Sequence, residues 1–163
     1  MPDRRRRDET IRAVDLFCGA GGLSHGLALA CEELGRDVEL AAINHDATAI
    51  DTHKRNHPWA HHYHVGVEEL EPRAVADEVF GTERVDILVA GPQCTHFSSA
   101  RGGRPVDDQK RASPWHVLDW LQKLYVHNVL LENVPEFRSW GPVGADGSPL
   151  SSMRGVLFEK YVE

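Results

Sequence analysis

Three segments of the chain combine turn-forming residues with side chains that could do chemistry, and each is preceded by an apolar run. The first, "DLFCGAGGLS", begins at Asp15 and is rich in glycine. The second, "GPQCTHFS", carries Cys94, and the third, "LLENVP", carries Glu132. A glycine loop can bind an anionic ligand, a cysteine can act as a nucleophile, and a carboxylate can act as an acid or a base. Each segment also has a purely structural alternative.

The glycine segment lies between a predicted strand and a predicted helix. This arrangement brings backbone amides close to a ligand and directs the positive end of the helix at an anionic group. The spacing differs from the dinucleotide fingerprint, because Ser24 stands where a third glycine is expected after Gly19 and Gly21. We therefore expect an adenosine ligand other than a dinucleotide.

The end of the second predicted strand offers polar groups for such a ligand. Asn44 or Asp46 could bind ribose hydroxyls, and the His45 ring could lie flat against a purine. The alternative is that Asn44 and Asp46 only cap the following helix, since both residue types are favoured at helix N-termini. The sequence leaves these two interpretations open.

Cys94 lies in a tight loop, where Pro92 restricts the backbone and Ser98 is close in sequence. Backbone amides in such a loop could stabilise a thiolate, and a small residue that fills the loop is the alternative. Glu132 directly follows an apolar strand and is soon followed by Pro135. Its carboxylate is either an acid or base or the partner of a nearby arginine.

The apolar pattern predicts strands and helices that alternate along the chain. The predicted strands are 11–17, 38–44, 62–67, 85–90 and 128–134, and the predicted helices are 23–35, 46–57, 72–80, 114–125 and 151–163. The strands at 85–90 and 128–134 are expected to be buried. The apolar side of the fourth helix is formed by Val117, Leu118, Leu121 and Leu124. This alternation predicts an α/β fold with a mostly parallel sheet and helices on both faces, and such sheets bind ligands at the carboxyl ends of their strands.

Composition and charge restrict the class of protein. The chain has 163 residues, is 41% hydrophobic, and carries a formal net charge of -7. We expect residues 1–10 to be a disordered basic tail around Arg4–Arg7 and residues 11–163 to form one domain. The acidic balance argues against nonspecific coating of nucleic acid. The cysteines are expected to be free thiols. No apolar run has the features of a membrane span or a signal peptide. We therefore expect a cytoplasmic protein.

A histidine-rich stretch, "HKRNHPWAHHYH", runs from His53 to His64 and could bind a metal ion. Pro58 interrupts the helical spacing that would gather these histidines. The stretch also holds no carboxylate or thiolate at ligand spacing. We therefore expect no metal site.

The segments "DLFCGAGGLSHGL", "GPQCTHFS" and "LLENVP", in this order and at these distances, closely resemble the cytosine-5 DNA methyltransferase family over roughly residues 11–140. The resemblance implies the Rossmann-like fold of S-adenosylmethionine-dependent methyltransferases, incomplete at the carboxy terminus, with S-adenosylmethionine as cofactor and DNA as partner. It assigns catalysis to Cys94 and Glu132. The cofactor-binding residues that it implies are Asp15, Phe17, Cys18, Gly19, Ala20, Gly21, Gly22, Leu23, Asn44, His45, Val67 and Pro92. The residues that it implies for contact with substrate or DNA are Ser98, Arg101, Arg104 and Asn133.

The chemistry of this family explains why these residue types are needed. Carbon 5 of cytosine is a poor nucleophile, so the Cys94 thiolate would add to carbon 6 and push electron density onto carbon 5, which takes the methyl group. Glu132 would bind ring nitrogen 3 and the exocyclic amine. Because the target atoms are inaccessible inside a duplex, the resemblance implies a flipped base. The loop at 98–111 is glycine-rich and basic enough to close over it, with Arg101, Arg104, Lys110 and Arg111 at phosphates. Solvated charges on a mobile loop are the alternative.

The chain departs from the family pattern at three places. Gln93 stands where a second proline usually precedes the cysteine. Asn44 stands at the position of a glutamate that binds ribose, with His45 where an aromatic ring often stacks on adenine. Gly66 and Val67 occupy the place of an acidic residue after the third strand.

Family members continue through an arginine-bearing motif, a target-recognition domain and a terminal helix that these 163 residues do not include. We therefore expect a truncated form or one subunit of a split enzyme, whose partner supplies the target-recognition domain. Sheet strands would then be missing, which predicts an exposed apolar edge.

The resemblance implies a DNA methyltransferase that acts in a prokaryotic nucleoid or a phage-infected cell. Two alternatives to it remain open. An RNA cytosine-5 methyltransferase would look alike over this span. An inactive S-adenosylmethionine-binding or assembly module would also fit the missing segments and the unusual ribose position.

Overall fold

The computed structural model describes residues 10–92, 113–142, 144 and 150–163. The chain folds as two compact units. The first comprises Met1–Gly91 and Trp115–Glu132, and the second comprises Pro92–Pro114 and Asn133–Glu163. The basic tail expected at residues 1–10 lies outside the described residues, apart from Thr10.

The first unit is built on one sheet of five parallel strands. In chain order they are β1 (Ile11–Leu16), β2 (Val38–Asn44), β3 (His61–His64), β4 (Arg84–Ala90) and β5 (Tyr125–Leu131). Their order across the sheet is β3-β2-β1-β4-β5, so β1 is central. Leu16 pairs with Ile43 of β2 and Ala90 of β4, and Ala90 pairs with Leu131 of β5. This register brings the carboxyl ends of four strands to one edge, where ligands bind in folds of this class.

Helices connect the strands and have local reasons for their ends. They are α1 (Gly22–Glu33), α2 (Ala47–Asn56), α3 (Pro72–Phe80), α4 (Ser113–Lys123) and α5 (Val156–Val162), with short 3-10 helices at Val67–Glu69, Pro135–Ser139 and Ser151–Met153. The Asp46 side chain caps α2 by accepting a hydrogen bond from the Ala49 amide at 2.8 Å. Pro72 opens α3, and Gly81 ends it with a φ of 67°. No helix among the described residues is long and apolar enough to cross a membrane.

Alternate residues of the central strand face two separate layers of helices. Val14 and Leu16 of β1 belong to one buried cluster together with side chains of α3 and α4. Ala13 lies in the other cluster, which includes Ile50 of α2 and packs against Leu27 of α1. The prediction of a parallel sheet with helices on both faces is therefore confirmed.

β5 lies at one edge of the sheet, and the expectation that the apolar run at 128–134 is buried is wrong. The exposed fractions are 44% for Val129, 50% for Leu130 and 37% for Leu131. Successive residues of a strand point to opposite faces, so both faces of β5 are open. An apolar run predicts a strand, but its burial depends on the elements packed against it. The exposed apolar edge that the sequence also predicted is present.

α4 packs on the sheet through a tryptophan outside its predicted apolar side. Val117 and Trp120 are almost wholly buried, and Leu124, which follows the helix, is buried as well. The Trp120 indole Nε1 donates a hydrogen bond to the Val67 carbonyl at 3.5 Å. Trp120 thereby ties α4 to the 3-10 helix that follows β3.

Aromatic side chains hold the described part of the second unit together. Phe137 stacks on Trp140 with ring centroids 5.4 Å apart, and Tyr161 meets both rings edge-on. Phe158 also packs edge-on against Phe137. The Leu157 amide donates a hydrogen bond to the Trp140 carbonyl at 3.0 Å. These contacts fix α5 against the 3-10 helix Pro135–Ser139.

The prediction of a single helix at 151–163 is wrong. The 3-10 helix Ser151–Met153 is separated from α5 by Gly155, whose φ is 85°. A residue in the left-handed region cannot continue a right-handed helix, and glycine adopts it at no steric cost. The chain therefore turns at Gly155 before α5 begins.

Candidate cofactor and catalytic site

The chain turns sharply between β1 and α1 through residues 17–22, which we call the glycine loop. Phe17, Gly19 and Gly21 have positive φ values of 61°, 53° and 94°. The Cys18 amide donates to the Ile43 carbonyl of β2 at 3.1 Å, and the Gly21 amide donates to the Cys18 carbonyl at 2.9 Å. Glycine adopts such backbone angles readily, whereas Phe17 does so at a cost in strain. The glycine loop is thus held in one conformation against β2.

One side of the glycine loop is open. Among the described residues, a Cβ added at Gly22 would meet no atom within 4 Å, and one at Gly19 would meet only the Phe17 carbonyl oxygen at 4.0 Å. Ala20 is exposed and Leu23 is half-buried. No side chain caps the first turn of α1. The amides of this turn are therefore suited to bind an anionic group.

Asp15 is a buried carboxyl group near the end of β1. Its Oδ2 accepts a hydrogen bond from the Ser24 hydroxyl at 2.6 Å, and its Oδ1 has no partner among the described residues. Burial raises the pKa of Asp15 to about 7, against the opposing effect of hydrogen bonds from Ser24. Burial, followed by the effect of Asp15, raises the pKa of the Cys18 thiol to about 12. Cys18 is therefore a neutral thiol at physiological pH, and it is not poised as a nucleophile.

The end of β2 combines a helix cap with groups that remain accessible. The Asp46 amide donates to Asn44 Oδ1 at 2.9 Å, while the Asp46 side chain caps α2. The capping interpretation is therefore confirmed for Asp46. Asn44 is buried, and its Nδ2 carries two hydrogens that could be donated to a ribose hydroxyl. The His45 side chain is exposed, and its carbonyl accepts a hydrogen bond from His64 Nε2 at 3.2 Å.

Val67 is placed differently from the other residues predicted to bind the cofactor. It follows β3 in the 3-10 helix Val67–Glu69 and lies in the main buried cluster. Its carbonyl is the acceptor of the Trp120 indole. A contact of Val67 with the cofactor stays a prediction.

Glu132 is the residue after β5, and it lies beside the end of β4. Its amide donates to the Ala90 carbonyl at 3.0 Å, and a Cβ added at Gly91 would lie 3.5 Å from its Oε2. The Gly91 amide in turn donates to the Leu16 carbonyl at 3.3 Å. The ends of β1, β4 and β5 are thereby joined, and the Glu132 carboxylate lies next to the backbone that leads on to Cys94.

In the second unit, Asn133 binds the backbone just before the predicted nucleophile. Its Nδ2 donates to the Pro92 carbonyl at 3.4 Å, and its Oδ1 accepts from the Val134 amide at 2.8 Å. Pro92 is buried. The contacts of Asn133 with a substrate and of Pro92 with a cofactor stay predictions.

Several predicted site residues lie outside the described residues. They are Gln93, Cys94, Ser98, Arg101, Arg104, Lys110 and Arg111. Their roles stay predictions that rest on the sequence.

Three histidines gather beside the glycine loop, so the expectation that Pro58 keeps the histidine-rich stretch apart is wrong. The buried rings of His53 and His57 are 4.8 Å apart, and the His62 ring lies 4.9 Å from that of His53. The chain after α2 returns to form β3 parallel to β2, with His62 opposite Ala42. No group of three or more metal-binding side chains could hold a metal ion within the part of the chain that the structure describes. The spacing of His53 and His57 on one helix face was the available signal.

The parallel sheet, the glycine loop after its central strand and the polar groups at the end of β2 define a Rossmann-like fold of the S-adenosylmethionine-dependent methyltransferase type. The chain matches the C-5 cytosine-specific DNA methylase family over residues 11–140. It belongs to that family, as the three sequence segments predicted.

Individual relatives include enzymes named for DNA and for RNA. The Type II methyltransferase M.AgeI of Thalassovita gelatinovora is 30% identical over 76% of this chain and 28% of its own length. The tRNA (cytosine(38)-C(5))-methyltransferase of Homo sapiens is 29% identical over 79% of this chain and 32% of its own length. A solved structure described as a DNA modification methyltransferase from a prophage of E. coli has a TM-score of 0.63 and 32% identity, over 78% of this chain and 33% of that one. The chain spans about a third of the length of these relatives.

The cofactor is S-adenosylmethionine, the methyl donor of this family. The residues present fit it. The uncapped first turn at Gly22 would bind its carboxylate, Asn44 Nδ2 would bind a ribose hydroxyl, and the exposed ring of His45 would contact adenine.

Proposed function

We propose that this chain is the cofactor-binding and catalytic part of a DNA cytosine-5 methyltransferase. The observation that carries the proposal is the position of the Glu132 carboxylate beside Gly91, where β4 and β5 end together. The family match extends over both strands and over Cys94, which follows Gly91 by three residues. A carboxylate thus lies beside the end of the strand from which the sequence continues into the nucleophile motif, in a family that modifies cytosine.

Cys94 is the nucleophile. Its thiolate adds to carbon 6 of cytosine, so that a carbon–sulfur bond forms and the electron pair of the 5,6 double bond moves to carbon 5. Bound S-adenosylmethionine supplies an electrophilic methyl group on its sulfonium. Once carbon 5 is methylated, its proton passes to water, the electron pair restores the double bond, and Cys94 leaves as the thiolate. The cysteine is regenerated in each cycle.

Glu132 holds the base while charge develops in the ring. Its carboxyl group binds ring nitrogen 3 and the exocyclic amine of cytosine, and these hydrogen bonds strengthen as the adduct forms. Thymine has a carbonyl group in place of that amine. The same contacts would therefore leave a polar group of Glu132 unpaired against thymine, which selects cytosine.

Access to carbon 6 requires that the target cytosine leave the duplex. The loop that includes Ser98, Arg101 and Arg104 follows the nucleophile directly and carries glycines and basic residues. We assign to it closure over the flipped base, with the arginines at phosphates, and to Asn133 a contact with the substrate.

DNA is the proposed substrate, and transfer RNA is the second candidate. The family description and the solved DNA modification methyltransferase from a prophage of E. coli support DNA. The human tRNA methyltransferase, which is 29% identical over 79% of this chain, supports RNA. Comparison of the two nucleic acids as substrates decides between them.

A second polypeptide that supplies the target-recognition part belongs to the proposal. The support is the open apolar edge at β5, where Val129 and Leu131 face one side and Leu130 the other. An edge strand of this kind is a surface on which further strands or helices can pack.

Covalent trapping tests the proposal. The full chain is incubated with S-adenosylmethionine and with DNA or tRNA that contains 5-fluorocytosine, with and without a candidate second polypeptide. Fluorine cannot leave as the proton does, so the adduct at carbon 6 persists. We expect a covalent adduct with DNA in denaturing gels, and its complete loss in the Cys94→Ser variant.

Cys31 provides the matched control, because it is a buried cysteine in α1, and Cys31→Ser should retain the adduct. An adduct of equal yield in Cys94→Ser would contradict the mechanism. Binding of S-adenosylmethionine without an adduct under any of these conditions would favour an inactive binding module.

A further inference from the structure

α2 presents three polar side chains to the glycine loop. Asn56 Nδ2 donates to the Ala20 carbonyl at 2.9 Å, and His57 Nε2 lies 3.1 Å from the Gly21 carbonyl. A carbonyl oxygen only accepts, so His57 carries its proton on Nε2 and donates it. His53, Asn56 and His57 occupy positions i, i+3 and i+4, which lie on one face of a helix.

The third contact continues into a buried chain of hydrogen bonds. His53 Nε2 lies 3.1 Å from the Ser24 hydroxyl, which donates to Asp15 at 2.6 Å. The other ring nitrogen of His53, Nδ1, lies 2.9 Å from His62 Nε2. Burial first, and then the charges of His57 and His62, lower the pKa of His53 to about 4, so the ring is neutral. Each nitrogen of His53 therefore has one partner, as donor or as acceptor.

Steric contact reinforces these hydrogen bonds. A Cβ added at Gly21 would lie 2.6 Å from His57 Cδ2 and Nε2 and 3.0 Å from His53 Cδ2. Gly21 also has a φ of 94° and begins α1 as its N-cap. The two imidazoles are thus packed directly against the residue where the glycine loop becomes a helix.

The two bound carbonyls fix the direction of the amides next to them. In a planar trans peptide the N–H points opposite to the C=O of the same unit. The Gly21 carbonyl points at His57, so the Gly22 amide points away from that ring. A Cβ added at Gly22 would meet no atom of a described residue within 4 Å. The Gly21 carbonyl also accepts a hydrogen bond from the His25 amide of α1 at 2.8 Å, so His57 and the first turn of α1 together set the direction in which the glycine loop presents its donors.

We propose that His53 and Asn56 of α2, together with its C-cap residue His57, form a positioning clamp that holds the glycine loop in the conformation that binds the cofactor. None of the three side chains needs to touch the cofactor. Their contribution is preorganisation, because a glycine-rich loop released from the clamp would have to be ordered at the moment of binding. The inference rests on the proposed use of the glycine loop for S-adenosylmethionine.

Isothermal titration with S-adenosylhomocysteine on the full chain tests the clamp. Loss of one hydrogen bond to the loop should raise the Kd about fivefold in His57→Leu and in Asn56→Leu. His57→Gln keeps an N–H donor and should stay within about twofold of wild type. The matched control is Arg55→Leu, an exposed position of the same helix that should leave the Kd unchanged.

Hydrogen exchange of the amides at residues 19–24 gives a second readout that requires no ligand. We expect faster exchange there in His57→Leu and Asn56→Leu, with wild-type rates in His57→Gln and Arg55→Leu. Asn56 is exposed, so its leucine variant keeps the test valid if His57→Leu fails to fold.

The outcomes separate this inference from the proposed function. If the wild-type chain binds S-adenosylhomocysteine and neither leucine variant weakens this binding or changes the hydrogen exchange, the clamp alone is overturned. Absence of S-adenosylhomocysteine binding by the wild-type chain would overturn the clamp together with the cofactor role of the glycine loop. Weakened binding in the leucine variants supports the clamp even where covalent trapping by Cys94 fails.

Discussion

The two sides of the sheet differ in how far their residues are enclosed. At β1 and β2, the glycine loop is bound by α2, and Asp15, Ser24 and His53 are completely buried. At the other side, β5 exposes Leu130 on one face and Leu131 on the other. The described residues around the glycine loop are thus enclosed within the first unit, whereas the side that carries Glu132 has an open edge.

This difference predicts where substitutions are costly. A buried polar network loses stability when one member is removed, because its partner remains buried and unsatisfied. An exposed apolar side chain contributes little to the stability of the chain by itself, and its value lies in contacts with another surface. Substitutions at the two sides should therefore separate effects on folding from effects on assembly.

The largest effect is expected at Gly21. Gly21→Ala forces a side chain into the left-handed region and places its Cβ 2.6 Å from the His57 ring. The backbone cost of about 1–2 kcal/mol and a similar cost of overpacking predict a loss of about 3 kcal/mol in the free energy of unfolding. Urea denaturation followed by circular dichroism measures it.

Gly26 supplies the matched control within α1. A Cβ there would meet no atom within 4 Å, and the residue has ordinary helical backbone angles. Gly26→Ala should raise the free energy of unfolding by about 0.5–1 kcal/mol. If both alanine variants changed stability in the same direction, the tight packing of the glycine loop against α2 would be refuted.

A second prediction concerns the pH dependence of the buried network. Burial raises the pKa of Asp15 to about 7, with Ser24 opposing, and burial with the charges of His57 and His62 lowers that of His53 to about 4. Between about pH 4 and pH 6.5, the folded chain holds a proton on Asp15 and none on His53, whereas the unfolded chain does the reverse. The two effects on stability cancel in the wild type over this range.

Removal of either residue leaves the effect of the other on stability uncompensated. The slope of stability against pH should therefore have opposite signs in the two variants. In Asp15→Asn the unfolded chain binds more protons at His53, so stability rises with pH between about 4 and 6.5 relative to wild type. In His53→Gln the folded chain binds more protons at Asp15, so stability falls as pH rises from about 4 to 7. Each slope should approach 1.4 kcal/mol per pH unit, roughly that of one proton. Urea midpoints at pH 5.0, 5.75 and 6.5 measure them, and slopes of equal sign would contradict the prediction.

The sequence predicted the local elements better than their burial. The alternation of apolar and polar residues placed β2 at Val38–Asn44, and Pro72 placed the start of α3. The run that forms β5 looked buried because it is continuously apolar, but Val129, Leu130 and Leu131 are exposed among the described residues. Gly155 was readable as a break in the last helix, since glycine is the residue that ends helices in the left-handed region.

For the candidate site, short motifs were enough for some positions and not for others. The glycine loop and Glu132 lie at strand ends as predicted, because turn residues after an apolar run fix that place locally. The gathering of His53 and His62 depends on the register of β3 against β2, which no local pattern reveals. Trp120 was missed for a similar reason, since its partner Val67 is distant in the chain.

The smallest effect is expected on β5, and it sharpens the contrast with β4. Leu130 pairs in register with Val89, and the two residues differ in burial, at 50% and 1% exposed. Leu130→Thr should change the free energy of unfolding by less than about 0.5 kcal/mol, because the hydroxyl stays in water. Val89→Thr, the control on the neighbouring strand, should cost about 1–3 kcal/mol because it buries a hydroxyl group among apolar side chains.

Leu130 should contribute instead to the association of this chain with another polypeptide. If β5 is the docking edge for a second polypeptide, Leu130→Thr weakens the complex in sedimentation experiments while the chain alone unfolds as before. Without a partner, the same variant should reduce self-association, since the apolar edge is its driving surface. A loss of more than about 1 kcal/mol in the isolated chain would mean that β5 is already packed in solution. The open side would then be as self-contained as the glycine loop, and no second polypeptide would be required there.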